Sequence, residues 1–190
     1  VMCEEGRGLR GPVARLNAPP PRATYRLQLR KAFTLFDAAK LAPYLAKLGV
    51  SHVYASPIQA ARSGSPHGYD IVDYTKINDE LGGAAGFAHF TKALRENGLK
   101  LLLDIVPNHM GVGGAENRWW LSTLEWGVHS PHAHAFDIDW RHSAAHGKLV
   151  LPFLRKPYGQ ALRDGELKLH FDSEEGNFSV WHWEHRFPIN

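Results

Sequence analysis

Lys100-Leu-Leu-Leu-Asp-Ile-Val-Pro-Asn-His-Met-Gly111 is the stretch that decides the fold. Its apolar run is strand-length and ends in a carboxylate, an amide and an imidazole, the pattern of a buried parallel strand feeding a polar loop. In a (β/α)8 barrel the loops after the strands project such groups, while side chains from the strands fill the interior. Working outward, Val50 to Ser56 reads as a second strand and the alternating Thr24 to Leu29 as a first. Between the strands lie helical patterns, Thr34 to Lys47 ended by Gly49 and Ala84 to Asn97 ended by Gly98. Pro43 either kinks the first of these or starts a second helix after a break near Leu41. Strand, helix, strand, helix, strand at this spacing predicts consecutive right-handed βαβ units and a parallel sheet. Pro57 closes the second strand, and residues 59–83 read as a long Gly- and Ser-bearing loop.

After Met110 the pattern changes. Short strand-like pieces appear at Phe136 to Trp140, Lys148 to Phe153, Glu166 to Phe171 and Phe178 to Trp183, with Asp164-Gly165 read as a turn between two of them. The expected fold class is therefore α/β: a partial TIM (β/α)8 barrel, its first three βα units, with a β-rich insertion after the third strand. Residues 1–22 read as a disordered leader ending in three consecutive prolines, 23–110 as the N-terminal part of the barrel, and 111–190 as the insertion. Three interior strands leave bare faces and edges. The chain is accordingly expected to be a piece of a larger enzyme, ending before the barrel closes.

The 190 residues are 44% hydrophobic and 22% charged, an ordinary globular composition. The 22 basic and 19 acidic residues are scattered along the chain, giving +3, with no gathered basic face for nucleic acid. A lone cysteine, Cys3, and the lack of a secretory or membrane-spanning apolar run point to a reducing, cytoplasmic setting without a membrane partner. No dinucleotide, Walker or nucleophile-elbow motif occurs. His129, His132 and His134 lack companion ligands in familiar spacing and read as a solvated loop, so no metal is expected. Trp119, Trp120, Trp126, Trp140, Trp181 and Trp183 read individually as core of the insertion rather than as sugar platforms.

From Thr24 onward the chain resembles the N-terminal part of the maltooligosyltrehalose synthases, a family of the α-amylase (glycoside hydrolase 13) superfamily. The resemblance rests on Thr24 to Leu29, Gly49 to Tyr54, Ser56-Pro-Ile58, His67-Gly-Tyr-Asp70, Asn78 to Gly83, Asp104 to Gly111, Phe136 to Trp140, Lys156-Pro-Tyr-Gly159 and Gly165 to Leu169. The Asp104 to His109 block indicates the superfamily, and the later blocks narrow it to the synthases. The resemblance implies an intramolecular transglycosylation of a maltooligosaccharide, remaking its reducing-end α-1,4 bond as an α,α-1,1 bond, with a pathway link to a trehalohydrolase. It implies no cofactor and places the nucleophile and acid/base carboxylates beyond Asn190, so no catalytic residue is expected among these 190. His109 matches a histidine that hydrogen-bonds sugar hydroxyls, and Tyr69 an aromatic that stacks beneath the ring. Asp104 matches a residue that orients the strand end, and Asn108 a position that binds calcium in many amylases, though not one expected to do so here. His67 and Asp70 complete the expected substrate-binding set. Where related exo-acting glucosidases close the pocket with an aspartate, Pro66 or His67 stands here, which implies room for a longer chain. The alternatives left open are an amylase-type hydrolase fragment and a truncated, non-catalytic oligosaccharide-binding remnant.

Overall fold

The computed structural model describes residues 20–141 and 148–190. The proposed leader lies almost wholly outside them.

Three strands, β1 (Thr24–Leu27), β2 (His52–Ala55) and β5 (Lys100–Leu103), form a parallel sheet in the order β1-β2-β5. The crossover from β1 to β2 carries two short helices, α1 (Leu35–Lys40) and α2 (Ala42–Lys47). Thr34 starts α1 through a reciprocal capping box with Asp37, which supplies two orphan N–H groups with acceptors. Pro43 sits in the first turn of α2, where a missing N–H breaks no helical bond, so the chain takes the split rather than the kink. The second crossover ends in α3 (Gly83–Glu96), which packs on α1. Strand alternation sends Leu27, Val53, Ala55 and Leu101 to the helix-covered face, where Leu27, Val53 and Ala55 join Leu35, Ala38, Leu45, Phe90 and Leu94 in one buried cluster against which Leu101 packs. Nothing among the described residues pairs with the outer edges of β1 and β5, and Leu102, Leu103 and Ile105 are exposed.

Residues 59–83 are more ordered than the sequence reading held. They contain an irregular antiparallel pair, β3 (Gln59–Ala61) and β4 (Ile71–Ile77), and a 3-10 turn at Asp79–Leu81. Gly, Ser and Asp punctuation marks the turn between those strands but hides the pairing.

After β5 the chain is mixed rather than β-rich throughout. Phe136 to Trp140 and Lys148 to Phe153 form no strand. Two helices that the sequence reading did not anticipate appear, α4 (Arg118–Trp126) and α5 (Tyr158–Arg163). Asp164 and Gly165 close α5, with Gly165 at φ 69, so they end a helix instead of turning a hairpin. A three-stranded antiparallel sheet follows: β6 (Lys168–Asp172), β7 (Asn177–His182) and β8 (His185–Ile189). The tryptophans are not core: none of the six is fully buried, and Trp126 and Trp183 are exposed. His132 leaves the solvated role too, stacking on Trp119 with ring centroids 5.0 Å apart. Among the described residues, no helix is long and apolar enough to cross a membrane.

Candidate functional site

Register places Arg26, Tyr54 and Leu102 side by side across the sheet, and Asp104 follows on the face away from the helices. Arg26 donates from Nη1 to Asp104 Oδ2 at 2.7 Å and from Nη2 to the Tyr69 hydroxyl at 2.8 Å. The Tyr69 hydroxyl donates to the same Oδ2 at 2.5 Å, and that of Tyr54 does so at 3.2 Å. The guanidinium also lies 4.4 Å over the Tyr54 ring, a cation–π contact. Three residues, from β1, β2 and the β3–β4 connection, thus converge on one carboxylate oxygen just past the end of β5.

The electrostatics follow from those bonds. Hydrogen bonds from Tyr69, then Arg26 and Tyr54, hold the Asp104 carboxyl below its usual range against the opposing effect of burial. The same bond raises Tyr69, whose proton serves the carboxylate, and Asp104 raises Arg26 further above its already high value. At neutral pH Asp104 is a carboxylate, Arg26 a guanidinium and Tyr69 a phenol. An aspartate engaged by three donors is fitted to hold geometry rather than to attack, and it fixes the Tyr69 ring by its hydroxyl.

The loop after β5 is anchored from the opposite side. The Tyr74 hydroxyl of β4 donates to the carbonyls of Val106 and His109 at 2.6 and 2.7 Å. Gly111 donates from its N–H to the Ile71 carbonyl at 2.8 Å, and a Cβ there would stand 3.0 Å from the Asp70 carbonyl oxygen, so a side chain at this position would press on that backbone. Asn117, which caps α4 through Trp120 N–H, donates to the Gly111 carbonyl at 2.9 Å. Between these anchors Asn108 and His109 are exposed, with His109 Nδ1 3.2 Å from Asn108 Oδ1. With that oxygen as acceptor, Nδ1 is the donor of this pair, and Nε2 takes no part in it.

Of the six residues expected to meet substrate, the structure joins Tyr69 directly to Asp104, and pairs Asn108 with His109. His67 and Asp70 shape the loop that carries Tyr69. His67 Nδ1 accepts the Tyr69 N–H at 3.0 Å, and Asp70 Oδ1 accepts from Ser65 Oγ at 2.5 Å. Arg26 and Tyr54 are the residues that sequence reasoning missed. A signal for Arg26 was present: with Leu27 and Leu29 on the apolar face, alternation turns Arg26 and Gln28 to the other.

The arrangement can grip a polar ring, with an oriented aromatic, an exposed imidazole and a fixed carboxylate. The family described as Alpha amylase, catalytic domain, matches residues 38–161. A protein of Mycobacterium tuberculosis named as a maltooligosyl trehalose synthase is 44% identical over 164 residues, covering 79% of this chain and 21% of its own length. Alpha-amylase SusG of Bacteroides thetaiotaomicron is 34% identical over 110 residues, covering 57% of this chain and 15% of its own. The solved maltooligosyltrehalose synthase of Arthrobacter ramosus superposes with a TM-score of 0.77 at 41% identity, covering 88% of this chain and 21% of that one. The chain spans about a fifth of the length of the curated synthase it matches. By the match over residues 38–161, which runs from α1 through β5 into α5, the chain belongs to the α-amylase family and carries part of its catalytic domain.

Proposed function

We propose that this chain is the N-terminal portion of a maltooligosyltrehalose synthase, and that β1, β2 and β5 are the first three strands of its (β/α)8 barrel. In this reading residues 23–110 belong to the barrel and 111–190 to an insertion that covers the cleft. The observation that carries it is the reach of the synthase likeness. It covers 79% of the chain at 44% identity, whereas the likeness to the amylase SusG covers 57% at 34%.

The whole enzyme would convert the reducing-end α-1,4 bond of a maltooligosaccharide into an α,α-1,1 bond, in the cytoplasm, giving a product that a trehalohydrolase can consume. Such a reaction needs a carboxylate nucleophile and a second carboxyl group acting as acid and then base. Those groups come from the rest of the protein. The part of this chain is to hold the sugar: Tyr69 beneath the ring, His109 Nε2 on a hydroxyl, and Asp104 fixing both strand end and aromatic. His67, Asp70 and Asn108 support that grip at the pocket edge.

The test is to give the product of the complete reading frame maltopentaose. Reducing ends should disappear while the sugar keeps its length. Maltose or glucose as the main product would refute the synthase reading and leave a hydrolase.

A further inference from the structure

The hairpin between β7 and β8 turns on two residues, Trp183 and Glu184, with His182 paired to His185 beneath them. The first position of a two-residue hairpin loop that requires positive φ is normally glycine. Here it is tryptophan, at φ 54, the sole non-glycine residue with positive φ among those described. The residue is also 73% exposed, so burial does not repay the backbone conformation. A bulky residue held in an unfavourable conformation and left in solvent marks a site where the surroundings need that side chain outside.

Two cavities, each of about 330 Å³, flank Trp183, a volume at the lower end of the ~300–1,000 Å³ range of small-ligand sites. One is lined by Trp183 with Phe153, Arg155, His182 and Glu184, the other by Trp183 with Asp164, Glu166, Lys168 and Trp181. An aromatic face framed by carboxylates and cations is the surface a pyranose recognises, its C–H side stacking and its hydroxyls bonding to the charged rim. The walls are braced from behind. Lys156 Nζ donates to Glu166 Oε1 at 2.7 Å, and Glu166 Oε2 lies 3.6 Å from His182 Nε2. His182, 4% exposed, and Trp181 each keep a ring nitrogen without a hydrogen-bond partner among the described residues.

We propose that Trp183 is the stacking platform of an oligosaccharide-binding subsite, distinct from the strand-end cluster, with neighbouring glucose rings lodged in its two flanking cavities. The choice of an α-1,4-glucan as ligand rests on the proposed function; the place and the stacking do not.

The experiment is a maltopentaose titration of the complete protein, followed by ¹⁵N–¹H spectra of the indole N–H groups and by calorimetry, with Trp183→Gly, Trp183→Tyr and Tyr69→Ala beside it. The Trp183 indole signal should shift on addition of sugar. Trp183→Gly should bind at least tenfold more weakly while its Tm stays level or rises, because glycine accepts that φ. Trp183→Tyr should retain most of the affinity, and Tyr69→Ala should leave the Trp183 shift intact. An unmoved Trp183 signal, or undiminished affinity in Trp183→Gly, overturns the proposal. Equal binding of cellopentaose overturns the α-glucan assignment. A complete protein that hydrolyses maltopentaose would sink the synthase reading while leaving a Trp183 shift standing, so the two failures are distinguishable.

Discussion

Asp104 Oδ2 is where the sheet's chemistry is concentrated, and its titration can be read in stability. Because its folded pKa is lowered, its contribution is full above the unfolded value of about 3.9 and is lost as pH falls through the folded value. Asp37, held at about 2 by Lys40 and the Thr34 cap, titrates in the same acid window. Asp104→Asn should therefore lower stability by about 1 kcal/mol at pH 7, the Arg26 side of the pair being partly solvated. The gap to the parent should narrow below pH 4, as followed by urea unfolding at several pH values; a constant gap would contradict the assignment. His109 makes a different kind of contribution, since Asn108 is its one side-chain partner among the described residues. In the complete enzyme His109→Ala should reduce kcat/KM by about 1.5–3 kcal/mol, roughly 10- to 150-fold, with unfolding unchanged. Asp104 and His109 were legible in the sequence because they share one short segment. Arg26 and Tyr54 were not, because their meeting with Asp104 depends on register between strands 78 and 50 residues away.

Elements differed in how openly the sequence declared them. β1, β2 and β5 are short runs bounded by helices with clear stops, and Gly49 and Gly98 take the positive φ that such stops need. The β3–β4 pair was hidden because its register shifts at two steps, which breaks the alternation that marks a strand. α4 was hidden by its aromatics: Trp119, Trp120 and Trp126 favour strands by composition, and the cap at Asn117 was the cue that outweighed them. β4 matters beyond its own pairing, since Tyr74 alone donates to two carbonyls of the loop carrying His109. Tyr74→Phe should destabilise the chain by about 1 kcal/mol and raise amide exchange between residues 106 and 111, measured by hydrogen exchange. Unaltered exchange there would mean that the Gly111 and Asn117 contacts suffice.

At the scale of the whole molecule, the exposed side chains at the end of β5 and just past it distinguish a self-sufficient domain from a barrel segment. Ile105 is 62% exposed in this chain, and in the proposed barrel it would be covered. Ile105→Lys should accordingly change the stability of the 190-residue chain by less than about 0.5 kcal/mol and that of the complete enzyme by about 3 kcal/mol or more. Equal effects in both would tell against the barrel. The open outer side of β1 has a further consequence for biogenesis. In a closed (β/α)8 ring the strand translated first is zipped by the one translated last, so the seam stays undone until synthesis is complete. Such a nascent chain would depend on ribosome-associated chaperones to keep that seam from recruiting a stranger.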